Sequence, residues 1–144
     1  MRQMCEIMMK VVLLMGLFHM AWFDYKTKLI ERKWLLVCGG FGILGTLLVG
    51  DKNLLQQALG GAIIGAGLLV LAWISKESIG YGDGWLFVVT GFFLGIWRNL
   101  VLLLGSLFLT GVFAIICLVL RKKGKNDRIA LAPFVLTAYV IFVL

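Results

Sequence analysis

Long apolar runs separated by short polar turns restrict the fold of this chain more than any other feature. Six apolar segments can be delimited, at residues 4–23, 34–49, 54–74, 85–97, 100–120 and 129–144. A helix that crosses a membrane takes about 20 residues, so six such helices would use most of the 144 residues. The runs lack the alternating pattern of barrel strands. We therefore predict an all-α polytopic membrane protein with about six transmembrane helices, forming one domain over residues 1–144.

The composition supports this interpretation and excludes several classes of protein. Hydrophobic residues make up 62% of the chain and charged residues 15%, whereas a soluble domain is closer to half apolar and a quarter charged. Too little polar material is present to cover a globule in water, which excludes a soluble enzyme, a disordered chain and a soluble nucleic-acid-binding protein. The three cysteines are far apart, so they predict neither a zinc site nor a disulfide framework. We expect no metal or other cofactor.

The basic residues predict the orientation of the helices. Ten of the fourteen lysines and arginines fall in the first, third and fifth turns, at Lys26, Lys28, Arg32, Lys33, Lys76, Arg121, Lys122, Lys123, Lys125 and Arg128. Loops rich in lysine and arginine stay in the cytoplasm. These three turns are therefore predicted to be cytoplasmic, with both termini outside. The net charge of +7 then orients the helices and gives no reason to expect a nucleic-acid partner, although the run at 121–128 leaves a lipid-headgroup or partner site open.

Two aspartates stand at this cytoplasmic border, each beside a predicted helix. Asp24 directly follows the end of the first apolar segment, and Asp83 lies in the sequence GYGDG at 80–84, just before the fourth. The glycines allow backbone turns that other residues resist, and they let a substrate backbone approach closely. The structural alternatives are an ordinary helix-end charge for Asp24 and a helix N-cap for Asp83.

A pair of aspartates has a definite chemistry if the two carboxyl groups lie close together. Two such groups cannot both ionise cheaply, so they tend to share one proton. The charged member acts as a general base on water, while the protonated member polarises a carbonyl and then assists the leaving amine. Such a pair would be suited to peptide-bond hydrolysis.

The sequence resembles the type IV prepilin peptidases, which are membrane aspartic proteases of the GxGD type. Gly80-Tyr81-Gly82-Asp83 matches the GxGD motif at the start of a membrane helix, and Asp24 matches the first catalytic aspartate. The segment IALAPF at 129–134 is similar to a Pro-Phe segment in the family's last helix. The resemblance implies that Asp24 and Asp83 are catalytic. It also implies that Gly80, Gly82 and Gly84 form an active-site turn. The floor of the active site would be formed by Pro133 and Phe134.

The resemblance also implies a substrate, a prepilin or pseudopilin whose short basic leader is cut off at the cytoplasmic border. Glu31 and Glu77 are candidates for binding the basic leader, with a solvated surface role as the alternative. The chain departs from the family where Glu31 and Arg32 follow Ile30 in place of Pro-Asn, and where Trp85 replaces a frequent lysine. It has no paired CxxC motifs, so we expect peptidase activity without methylation. The expected partners are the leader peptide and the lipid bilayer; the oligomeric state is not predicted.

Two other functions compete with the peptidase hypothesis. A small proton-coupled transporter would use the same carboxylates, but transporters usually place acids near mid-membrane on broken helices. A non-catalytic membrane scaffold would need neither aspartate. The position of both acids at one border favours the peptidase.

Smaller features complete the sequence prediction. The Gly61/Gly65 and Gly91/Gly95 pairs predict close packing of helices. Pro133 predicts a kink in the last segment.

Overall fold

The structure, a computed structural model, describes residues 2–27, 32–50, 52–75, 80–120 and 129–144. The regular structure in these ranges is entirely helical. It comprises α1 (Arg2–Thr27), α2 (Arg32–Val49), α3 (Lys52–Ile74), α4 (Tyr81–Val119) and α5 (Ala132–Ala138), which continues into the π-helical segment Tyr139–Val143. The predicted all-α fold is confirmed for this part of the chain.

Three helices in the described ranges are long and apolar enough to cross a membrane. They cover Glu6–Thr27, Lys52–Ile74 and Tyr81–Val119, and two shorter apolar helices cover Lys33–Leu48 and Ala132–Val143. Large apolar side chains are exposed along all of these helices, as expected for surfaces that face lipid. Length and composition thus indicate a membrane protein, and the number of six spans stays a prediction.

Helix α4 folds back on itself at Gly95. This residue has φ 73° and ψ −178° within otherwise helical backbone. The side chain of Asn99 donates a hydrogen bond of 2.9 Å to the carbonyl of Phe87, twelve residues earlier. A straight helix would separate these positions by about 18 Å along its axis. We therefore describe α4 as a first arm, residues 81–94, and a second arm, residues 96–119.

The turn predicted at Arg98-Asn99 is wrong, because the chain reverses at Gly95. A residue with a side chain rarely adopts the positive φ that the reversal requires, whereas glycine does so readily. Asn99 is instead fully buried in the first turn of the second arm, and its neighbour Arg98 is exposed. Gly95 also packs closely against α3, because a Cβ atom there would lie 3.2 Å from the Cβ of Gln57.

The Asn99 side chain joins both arms of α4 to α3. Its Oδ1 accepts a hydrogen bond of 2.7 Å from Thr90 Oγ1. Its Nδ2 donates to the carbonyls of Phe87 and Gly61, each at 2.9 Å. Interhelical hydrogen bonds of this kind are a means of joining membrane helices. This network fixes the reversed conformation of α4.

Replacement of Asn99 by leucine is expected to destabilise the protein by about 1–3 kcal/mol, because the buried hydrogen bonds of its amide to Thr90, Phe87 and Gly61 are lost. Ser106→Ala is the matched control, since Ser106 is also buried in the second arm but donates only to Leu103 of the same arm. Thermal unfolding in detergent measures both. Equal effects of the two substitutions would contradict the interhelical role of Asn99.

Glycines bring α3 unusually close to the first arm of α4. The backbones of Gly61 and Gly91 face each other, and Gly65 lies against the backbone of Val88. These contacts confirm the predicted close packing at Gly61, Gly65 and Gly91. Because α3 contacts the first arm along this glycine seam, it fixes the position of the helix that begins near Asp83.

Candidate functional site

Asp24 lies in the last turn of α1, which extends to Thr27 and not only to the predicted end at residue 23. The side chain is only 4% exposed, and its Oδ2 accepts a hydrogen bond of 3.0 Å from the backbone N–H of Ala132. Ala132 is the first residue of α5, where backbone N–H groups have no partner within the helix. The start of α5 therefore satisfies the buried carboxylate of Asp24.

Asp83 lies in the first turn of α4, where its carboxylate interacts favourably with the helix dipole. The turn is closed by the N–H of Asp83, which donates to the carbonyl of Gly80 at 3.1 Å. A Cβ atom at Gly80 would lie 3.1 Å from Asp83 Oδ2. The absence of a side chain at Gly80 thus leaves room for the half-buried carboxylate to turn back over the helix start.

The structure brings Asp24 and Asp83 together at one end of the bundle. Helix α1 packs against α4, and α5 packs against both. The two carboxyl groups lie near enough for the charge of Asp24 to influence Asp83. Two carboxylates that are distant in sequence thus form an interacting pair, contributed by the end of one helix and the start of another.

The three glycines of the predicted active-site turn have different surroundings. Gly80 is exposed and leaves space beside Asp83. Gly84 is buried against α3, because a Cβ atom there would lie 2.7 Å from the Leu69 side chain. Gly82 is half-buried between them. Gly80 is therefore the exposed end of this turn, three residues before the half-buried Asp83.

Pro133 begins a helix, so the predicted kink is wrong. It lies in the first turn of α5, where proline is tolerated because its missing N–H would have no partner in the helix. It directly follows Ala132, the donor to Asp24. Phe134 packs against Phe113 of the second arm, with ring centroids 5.1 Å apart. The floor role of Pro133 and Phe134 stays a prediction.

Other predicted features lie outside the described residues. These are Glu31, Glu77 and the basic run at 121–128. Within the described ranges, no group of three or more histidine, cysteine or acidic side chains is arranged to hold a metal ion.

Ala132 is the element of this site that sequence reasoning missed. It contributes a backbone N–H group, and the identity of the residue gives no indication of that role. The neighbouring Pro133 was the one available signal, because proline often marks the first turn of a helix.

The fold and the site define an apolar helical protein with an acidic pair at one end of the bundle. The sequence model of the type IV leader peptidase family matches residues 11–119, which include both aspartates, and the chain belongs to this family. The resemblance to prepilin peptidases is thereby confirmed, and membership supports a peptidase of the membrane. No curated protein and no solved structure gives a significant match.

Proposed function

We propose that this protein is a membrane-embedded aspartic endopeptidase that removes the basic leader from type IV prepilin-like or pseudopilin substrates at the cytoplasmic border. One observation carries the proposal: the packing of α1, α4 and α5 places Asp24 and Asp83 near each other, within the residues that match the family. The family supports the peptidase activity, and the paired carboxylates support the aspartic type of chemistry.

In the proposed mechanism the two aspartates share one proton, so that one carboxyl group is ionised and the other is protonated. The ionised carboxylate removes a proton from water as the water oxygen attacks the scissile carbonyl. The protonated carboxyl donates a hydrogen bond to that carbonyl and stabilises the tetrahedral intermediate. When the C–N bond breaks, a proton passes from the pair to the leaving amine. The proton belongs to the pair and is not assigned to either residue.

The two aspartates have different surroundings, and this suggests how substrate approaches. Asp24 is buried and held by Ala132. Asp83 is more exposed and follows the exposed Gly80. We infer that an unwound stretch of substrate reaches the pair from the Gly80 side, because Gly80 itself carries no side chain.

The cytoplasmic position of the site rests on the basic turns. Asp24 is followed closely by Lys26 and Lys28, and by the positive-inside rule such a turn stays in the cytoplasm. A leader with lysines and arginines would there meet Glu31 and Glu77, which we propose as its binding residues. Their acidic side chains would attract the basic leader.

Co-expression with a prepilin-like reporter tests the proposed function. The reporter carries a basic leader, a glycine and an apolar helix, and mass spectrometry detects its new amino terminus. We expect cleavage after the leader in membranes that contain the wild-type protein and none with the Asp24→Asn/Asp83→Asn double variant. An uncut reporter in both membranes, or equal cleavage in both, would contradict the proposal.

A further inference from the structure

A second polar site lies at the other end of the bundle from the aspartates. It is a cavity of about 440 Å³ between the start of α1, the end of α2, the start of α3 and the reversal of α4. Lys10 in its wall lies fourteen positions before Asp24 in α1, which corresponds to about 21 Å along the helix. The cavity is thus separate from the candidate active site.

The charged side chains that line the cavity carry a net positive charge. They are Lys10 of α1, Arg98 of the second arm of α4 and Glu6, one turn before Lys10. No ion pair joins these three side chains within the described part of the chain. One acid balances only one of the two cations, which leaves an excess positive charge that can attract an anionic group. The cavity therefore suits a group with one negative charge.

The last helix holds the backbone of α1 at Lys10. The hydroxyl of Tyr139 donates a hydrogen bond of 3.2 Å to the backbone carbonyl of Lys10. Tyr139 itself is fully buried at the start of the π-helical segment. The backbone that presents Lys10 to the cavity is therefore anchored across the bundle.

The surroundings of the cavity are those expected at the depth of lipid headgroups. Trp97, next to Arg98, lines the cavity and is 78% exposed, and exposed tryptophans collect at the membrane–water interface. Apolar side chains complete the wall, among them Met9, Leu54 and Phe92. A ligand that fits this combination has a charged head and an apolar continuation.

We propose that this cavity binds the phosphodiester headgroup of an anionic phospholipid. Lys10 and Arg98 donate charge-assisted hydrogen bonds to the phosphate oxygens, and Gln57 lines the same wall as a further amide donor. The apolar wall contacts the glycerol and the first acyl carbons. The headgroup lies against the reversal at Gly95 and bridges α1 to α4. This proposal is independent of the catalytic one.

Lipid titration of the purified protein in a neutral detergent tests the site, with thermal unfolding as the readout of binding. Phosphatidylglycerol is expected to stabilise the wild-type protein more than phosphatidylethanolamine or phosphatidylcholine does. Lys10→Gln and Arg98→Gln should each weaken phosphatidylglycerol binding about tenfold, the loss expected for one hydrogen bond to a charged group. Lys10→Arg and Arg98→Lys keep the charge and should retain most of the binding.

Lys52→Gln is the matched control, because Lys52 is an exposed cation at the start of α3 that does not line the cavity. It should bind phosphatidylglycerol as the wild type does. Inorganic phosphate alone should not reproduce the stabilisation, which separates a lipid headgroup from a free anion. The proposal is overturned if phosphate substitutes for the lipid, if zwitterionic lipids bind equally well, or if Lys52→Gln loses as much binding as Arg98→Gln.

Discussion

Asp24→Asn and Asp83→Asn are each expected to lower leader cleavage about a thousandfold or more, since residues that act as one catalytic unit fail together when either is removed. An asparagine amide neither accepts the proton of the attacking water nor supplies one to the leaving amine. It preserves the shape of the side chain, and its oxygen accepts the same hydrogen bond from Ala132 that Asp24 accepts. The substitution therefore removes the chemistry and leaves the contact that holds α1 to α5.

Two control variants distinguish this effect from a general loss of folding. Tyr25→Phe alters the exposed neighbour of Asp24, and Asp127→Asn removes a carboxyl group outside the candidate pair. Both should cleave the reporter at the wild-type rate in membranes that contain equal amounts of protein. Wild-type cleavage by either single aspartate variant would show that the pair is not catalytic.

The helices were predictable where a long apolar run lies between polar residues. The segments predicted at 34–49 and 54–74 correspond to α2 and α3, each of which begins two residues earlier. The reversal of α4 was misplaced because Arg98 and Asn99 have the polarity of a turn. The amide of Asn99 instead finds its partners inside the bundle. The polarity of a residue indicates whether water can solvate it. A chain reversal depends instead on the backbone φ angle, and within α4 the positive φ occurs at Gly95.

The sequence predicted those parts of the candidate site that are side chains within a recognisable motif. Asp24 and Asp83 were found through their chain positions and their resemblance to a family. The donor to Asp24 lies 108 residues further along the chain and is a backbone group, so no local pattern encodes it. The same limit applies to the cavity around Lys10 and Arg98, because these two cations lie 88 positions apart in the sequence.

Gly65→Ala is expected to be the most damaging small substitution in the scaffold. A Cβ atom at residue 65 would collide with the backbone of Phe87 and Val88, and backbone atoms cannot move aside as the end of a flexible side chain can. Overpacking of this kind costs about 1–3 kcal/mol. Because α3 fixes the arm that begins near Asp83, the protein that remains folded should also cleave more slowly.

Gly67→Ala separates collision from helix propensity. It makes the same change in the same helix, but among the described residues the new Cβ would meet no atom of another helix within 4 Å. Alanine favours the helix more than glycine does by about 1 kcal/mol in soluble peptides, so this variant should unfold at the wild-type temperature or above. Thermal unfolding in detergent and reporter cleavage measure the pair of variants. If Gly65→Ala matches Gly67→Ala in both measurements, the α3–α4 seam can widen without cost, and close glycine packing does not position Asp83. If only Gly65→Ala loses stability and cleavage, the seam sets the position of the first arm, and with it the geometry of the aspartate pair.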